Sequence, residues 1–151
     1  MQRGRSVIAL IQRVSHAQVD IAGESVGRIG PGLLALIGIE RDDTPARAER
    51  LLERMLGYRI FPDEAQRMNL SLRDTGAGLL LVSQFTLAAD TRKGARPSFS
   101  CAAAPEDALP LFEHLVTRAR QLHHDVATGR FGAEMSISLT NEGPVTFRLE
   151  S

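Results

Sequence analysis

Val7-Ile8-Ala9-Leu10-Ile11-Gln12-Arg13-Val14 decides the fold class. The run is mostly apolar, rich in β-branched residues and short, which reads as a buried strand. Ala17, Val19 and Ile21 then alternate with polar residues, the period of a half-buried strand. Gly23 starts a turn, and Val26 to Ile29 forms the second arm of a hairpin. Gly30-Pro31-Gly32 breaks the chain before a second buried strand, Leu33 to Ile39. A sheet built from neighbouring strands therefore comes first, and the helices must pack against it.

After these strands, Thr44 caps a helix and Pro45 occupies its first position, where a missing N–H costs nothing. Ala48, Leu51, Leu52, Met55 and Leu56 form one helical stripe, which Gly57 stops. Tyr58 to Phe61 reads as a short strand, Asp63 to Gly78 as a polar loop, and Leu79 to Thr86 as a buried strand. Ala88 to Ala104 is a long connection of the kind that often carries function. A second helix starts at Pro105, with Ala108, Leu111, Phe112, Leu115, Val116, Ala119 and Leu122 as its apolar stripe. Met135, Ile137 and Leu139 alternate, as do Val145, Phe147 and Leu149, with Asn141-Glu142-Gly143-Pro144 between them as a hairpin turn. The expected architecture is α+β: a mostly antiparallel sheet with a β-barrel-like core and two main helices, forming one domain over residues 1–151.

Composition narrows the function. Eighteen Lys+Arg balance eighteen Asp+Glu, so a protein that coats long nucleic acid is excluded, while a local contact with a nucleic-acid end is not. One cysteine excludes an intramolecular disulfide framework and a cysteine-rich zinc site. The longest apolar stretch, Leu33 to Ile39, falls far below the roughly 20 residues of a membrane helix. The short run after Arg3 and Arg5 ends without a cleavage site. These features predict a soluble, cytoplasmic protein with no membrane association.

Familiar chemistries fail in turn. His16, His114, His123 and His124 show no metal-ligand spacing, and read as surface histidines, the last three on the second helix's polar face. No phosphate loop and no Gly-x-Ser-x-Gly elbow is present. No metal or cofactor is expected. Two segments remain unusual. Ser83-Gln84-Phe85-Thr86 places polar groups at the end of a buried strand, either surfacing into a loop or needing partners. Asn141 to Thr146 is an ordinary hairpin turn or, through Gly143 with no Cβ, a close backbone approach to a ligand.

The chain resembles the D-aminoacyl-tRNA deacylase family of the D-tyrosyl-tRNA deacylase type. The resemblance rests on Val7–Ser15, Gly57–Phe61, Met68–Ser71, Val82–Leu87, Lys93–Phe99, Thr128–Ala133 and Asn141–Thr146, in that order and spacing. It implies hydrolysis of the ester joining a D-amino acid, or wrongly attached glycine, to the 3′ end of tRNA, with L-aminoacyl-tRNA rejected. It implies a homodimer with active sites at the subunit interface, where a cis Gly143-Pro144 bond reaches into the partner's site. Backbone carbonyls of Gly143 and Pro144 then leave no room for an L side chain, and Arg13 braces that motif. Ser83, Gln84, Phe85 and Thr86 form the other wall. Phe131 and Met135 are expected to form an apolar surface for the terminal adenosine, and Lys93 and Arg96 to contact the tRNA. The N-terminus is a few residues longer than the family's usual start, Ala65-Gln66-Arg67 stands where Gly-Lys is commoner, and Glu142 replaces a frequent Asp.

Thr86 invites a nucleophile role, but the motif supplies no base for it. The favoured route has the 2′-OH of the terminal adenosine help activate water, with N–H groups near Phe85 and Thr86 holding the oxyanion. Two rivals are a non-catalytic nucleic-acid-binding module and a general small-ester hydrolase.

Overall fold

The computed structural model describes residues 7–151, so the extended N-terminus with Arg3 and Arg5 lies outside it. Strand β1 (Ile8–Ile21) is the organising element. Its first half pairs antiparallel with β3 (Gly32–Gly38), from Ile8↔Gly38 to Val14↔Gly32. Its second half pairs antiparallel with β2 (Glu24–Ile29), from Ala17↔Ile29 to Ile21↔Glu24. The hairpin and the second buried strand thus form as the alternation predicts.

Helix α1 (Pro45–Gly57) follows, with Thr44 accepting a bond from the Arg47 N–H at 3.3 Å. The whole expected stripe is buried: Ala48, Leu51, Leu52, Met55 and Leu56. Asp63–Gly78 is not simply a loop. Strands β4 (Phe61–Pro62) and β5 (Met68–Leu70) pair antiparallel, and α2 (Leu72–Thr75) follows. One helical turn has no apolar period to detect, but its capping box was written in the chain. Ser71 Oγ accepts the Asp74 N–H at 3.2 Å, and the Asp74 carboxylate accepts the Ser71 N–H at 2.9 Å.

Strand β6 (Gly78–Ser83) ends three residues before the expected limit at Thr86, and Phe85–Ala88 coils into a 3₁₀ turn. It pairs parallel with β3 and with β7 (Val126–Thr128). Helix α3 (Pro105–Leu122) connects β6 to β7 over the sheet. Ala108, Phe112, Leu115 and Ala119 are buried, but Leu122 is 42% exposed because it ends the helix. The next residue takes its place: His123 is buried, with ring Nε2 2.6 Å from the Ala77 carbonyl, rather than on the surface.

The largest correction concerns the C-terminal segment. Ser136–Glu150 is one fifteen-residue strand, β8, and not a hairpin. It runs antiparallel along β1 on both sides of a bulge, from Asp20↔Ser136 to Ile8↔Glu150. From Ile137 onward both apolar alternations lie in strand, but a strand interrupted by a bulge and two arms of a hairpin give the same alternation. The sheet order is β2-β1-β3-β6-β7, with β8 on β1. β7 returns so close to β2 that a Cβ on Gly27 would lie 2.3 Å from the Thr128 carbonyl oxygen. The sheet is therefore a nearly closed barrel, as expected, with parallel pairing where the helical crossovers enter.

Two apolar clusters cover the sheet. Leu33, Ala35, Ile37, Leu79 and Leu81 pack under the helices, and Leu34, Leu80, Val82, Val14 and Val19 fill the other side. Alternate residues of β3 and β6 thus serve different clusters, which is why these strands read as continuous apolar runs. No helix among the described residues is long and apolar enough to cross a membrane.

Candidate functional site

Between Asn141 and Thr146, β8 leaves the ladder. Val14 pairs with Asn141 and Gln12 with Thr146, so Arg13 alone on β1 faces Glu142, Gly143, Pro144 and Val145 on β8. The surplus must bulge outward. Three groups give the bulge its shape. Asn141 Oδ1 accepts the Val145 N–H at 2.6 Å, and its Nδ2 donates to the Val145 carbonyl at 3.2 Å and Thr146 Oγ1 at 2.9 Å. Arg13 donates from Nε to the Glu142 carbonyl at 3.0 Å and from Nη1 to the Ile60 carbonyl at 2.7 Å. Val145 is buried and acts as the bulge's apolar root.

At its crest the Gly143–Pro144 bond is cis, and both residues are exposed. Gly143 has φ +136°, and a Cβ there would meet Val145 Cγ2 at 2.6 Å. Only glycine fits this backbone without movement. Proline contributes no N–H, so Pro144 presents a carbonyl and a ring.

The second segment caps β6. The Gln84 N–H donates to the Ile37 carbonyl at 2.7 Å, the last anchor before the chain turns. The 3₁₀ turn lies directly over Gly38, where a Cβ would come within 2.8 Å of the Leu87 Cβ. Phe85 and Thr86 are exposed. Their N–H groups open the turn, where helical geometry supplies no acceptor. Gln84 Nε2 donates to Thr86 Oγ1 at 2.5 Å. The arrangement offers a hydroxyl, a carboxamide and turn-opening N–H groups at one surface. None of these is a base able to take the Thr86 proton near neutral pH.

Within one chain the two walls stand on different strands at different levels of the sheet. Ser83 is level with Ile37, Ala9 and Leu149, whereas the bulge is level with Arg13. Four residues along and three strands across separate them, roughly 20 Å measured along the sheet at about 3.3 Å per residue and about 4.8 Å per strand.

The remaining expected residues scatter. Phe131 packs against the helix-side cluster, its ring centroid 6.0 Å from that of Phe112. Met135 packs against the other cluster, and its sulfur accepts the Arg130 N–H at 3.4 Å. Lys93 and Arg96 lie in a wholly exposed run, residues 91–100, that follows the turn. Its start is pinned by Arg92, whose Nε and Nη2 donate to the two Asp90 carboxylate oxygens at 2.9 and 2.8 Å. That bidentate guanidinium holds the Asp90 carboxyl well below the usual carboxylate range.

Sequence reasoning missed the Ile60 carbonyl, Asn141 as the bulge's clasp, and Gly38 as the seat of the turn. Asn141 carried a signal, since Asn side chains close local turns. A distant backbone carbonyl carries none.

A family model described as D-Tyr-tRNA(Tyr) deacylase matches residues 10–150. A protein named D-aminoacyl-tRNA deacylase from Thioalkalivibrio sulfidiphilus is 67% identical over 144 residues, covering 95% of this chain and 97% of its own. A protein of the same name from Stutzerimonas stutzeri is 62% identical over 142 residues, covering 94% and 98%. Among solved structures, the c-Myc DNA Unwinding Element Binding Protein superposes with a TM-score of 0.91 at 35% identity, covering 95% of this chain and 98% of that one. One described as a probable eukaryotic D-amino acid tRNA deacylase has a TM-score of 0.78 at 20% identity, covering 97% and 100%, a likeness of fold alone. With a family match that runs from β1 to the end of β8, and relatives aligned over nearly their full length, the chain belongs to the D-Tyr-tRNA(Tyr) deacylase family.

Proposed function

We propose that this protein is a D-aminoacyl-tRNA deacylase that hydrolyses the ester between a D-amino acid, or glycine, and the terminal adenosine of tRNA. The family supplies the reaction class. The observation that carries the chiral part is the Gly143–Pro144 crest, an exposed cis peptide whose conformation Arg13 and Asn141 fix from below. A rigid backbone wall accepts hydrogen or a side chain pointing away, and excludes one pointing inward. That selects by sterics at the α-carbon and is indifferent to side-chain identity.

In this reading Ser83, Gln84, Phe85 and Thr86 receive the ester. The Phe85 and Thr86 N–H groups stabilise the oxyanion, and the 2′-OH of the adenosine helps activate water. The Gln84–Thr86 bond favours this route over an acyl-enzyme, because a carboxamide partner gives the threonine hydroxyl no base. Phe131 and Met135 back the terminal adenosine, while Lys93 and Arg96 meet tRNA phosphates.

Because the bulge and the turn lie roughly 20 Å apart on one sheet, the working site pairs the turn of one subunit with the bulge of another. The protein acts as a homodimer in the cytoplasm, as a single domain and without a cofactor.

Incubating D-Tyr-tRNA and L-Tyr-tRNA with the protein tests the reading. Selective release of D-tyrosine is expected. Release from neither substrate, or equal release from both, overturns it. Thr86→Ala tests the chemistry: retained turnover is expected, and near-total loss with a trappable acyl adduct in the unsubstituted enzyme overturns the RNA-assisted route. The name of one structural neighbour points to a second reading, nucleic-acid binding without hydrolysis. Salt-sensitive RNA binding with no ester cleavage would favour it.

A further inference from the structure

Beside the proposed site stands an aromatic pair, Phe85 of the turn and Phe99, whose rings the proposed chemistry leaves unassigned. Phe85 is 62% exposed and Phe99 42% exposed, with ring centroids 5.3 Å apart and planes inclined at 46°. Large rings are seldom left in water as a neighbouring pair unless something covers them. Nor is Phe99 on a loose loop. On its N-terminal side Asp90 and Ser98 exchange both backbone bonds, at 2.7 and 2.9 Å. On its C-terminal side the Arg41 N–H donates to the Cys101 carbonyl at 2.8 Å and the Ala103 N–H to the Ile39 carbonyl at 3.0 Å. The ring is presented from a backbone tied down within two residues of it in each direction.

Its charge surroundings select a ligand. Arg92 is engaged by Asp90, whose carboxylate also feels the Lys93 charge, while Lys93 and Arg96 are exposed on the same segment, with no ion-pair partner within 4 Å of either among the described residues. Exposed rings interleaved with cations are how proteins hold single-stranded nucleic acid: bases stack on the rings and phosphates meet the cations. An apolar peptide would use the rings and waste the cations. The phosphate of the terminal adenosine lies on its 5′ side, toward the preceding nucleotide and away from the ester. A platform that joins rings to cations therefore suits that phosphate and the base beyond it.

We infer that Phe99, backed by Phe85, is a stacking platform for the unpaired base immediately preceding the terminal adenosine, with Lys93 and Arg96 on the phosphate between them. Phe99 acts here as a positioning residue. The inference rests on the deacylase reading, so the test keeps the two separable. The full-length protein and its Phe99→Leu and Phe99→Tyr variants are assayed on D-aminoacyl-tRNA and on 3′-D-aminoacyl-adenosine, which lacks the preceding nucleotide. Phe99→Leu should raise KM for the tRNA roughly tenfold with kcat little changed. The preference for tRNA over the adenosine ester should fall by the same factor, and Phe99→Tyr should restore it. A short RNA carrying 2-aminopurine before its terminal adenosine should be quenched by the parent protein and not by Phe99→Leu.

An equal loss on both substrates would mean that the terminal base itself stacks there, and overturns the inference. So does an unchanged KM. So does a Phe99→Leu variant that sediments as a monomer, because the rings would then be covered by a second copy. If the parent protein cleaves neither substrate, the deacylase reading fails instead.

Discussion

Gly143 sits where a side chain has no room, and in the proposed reading the same position judges chirality. An added Cβ would press on Val145 Cγ2 at 2.6 Å, on the Val145 nitrogen at 3.0 Å and on Arg13 Nη2 at 3.2 Å, so the bulge and the Arg13 brace beneath it must shift. Gly143→Ala should leave the thermal midpoint within a few degrees but lower kcat/KM on D-aminoacyl-tRNA about a hundredfold, the typical cost of an ångström of misplacement. Steady-state kinetics beside a melting curve checks this, and unchanged kinetics would detach the crest from the reaction. Asp43 presents a different residue-scale balance. Its side chain is 1% exposed, and burial raises its pKa above the ordinary value despite the Glu40 N–H at 2.7 Å and Arg47 at 3.7 Å. A raised carboxyl contributes stability that is fully present below the unfolded value of about 3.9 and is lost as pH rises through the folded one. Asp43→Asn keeps an acceptor for Glu40 and removes the titration. Its stability relative to the parent should therefore rise between pH 3.5 and 6.5, measured by urea unfolding at both. A difference that stays flat or falls would contradict the assignment.

At the scale of elements, Arg13 links three of them: β1, which carries it, the β8 bulge, and the segment between α1 and β4 through Ile60. Its fork makes both bonds at once, which an ammonium cannot reproduce. Arg13→Lys should destabilise the fold by about 1–2 kcal/mol and lower kcat on D-aminoacyl-tRNA at least tenfold through a loosened bulge. Parent-like kinetics would show that the bulge holds its shape unaided. The same element explains what the sequence disclosed. Amphipathic periods named β1, α1 and the body of α3 because burial dictates residue type one position at a time. The continuity of β8 was hidden, since its register depends on β1 more than a hundred residues earlier. The site was half legible: the identities of Gly143, Pro144 and Thr86 stood out through a family resemblance, while the clasps that shape them, the Asn141 side chain and the Ile60 carbonyl, become visible only in three dimensions. Cations can also mislead at this scale. Arg73 and Arg120, with His123 and His124, line a hollow of about 440 Å³, yet it lies at the C-terminal ends of α2 and α3. The two guanidinium groups there offset helix dipoles and need no anion.

For the whole molecule, the decisive quantity is the roughly 20 Å between turn and bulge, set by strand spacing and not by any side chain. No rotamer change closes such a gap, because both segments are anchored to strands of one hydrogen-bonded sheet. If the proposed deacylase site needs both, a second subunit must bring one of them, and two-fold symmetry then yields two sites per dimer. This arrangement has a signature that a one-chain site lacks. Phe85→Pro deletes the first N–H of the 3₁₀ turn, a first position whose usual φ is close to proline's, and should cost at least a hundredfold in kcat. Gly143→Ala disables the bulge. In a mixed dimer one site combines both defective segments, and the other combines both intact ones. Unfolding and refolding equal amounts of the two variants together should therefore restore about a quarter of the parent activity, as random pairing in a two-fold dimer requires. Refolding either variant alone should restore none. Sedimentation beside the assay shows whether dimers form. If mixed dimers form and activity stays at the level of the single variants, both segments act within one chain and the shared-site model fails.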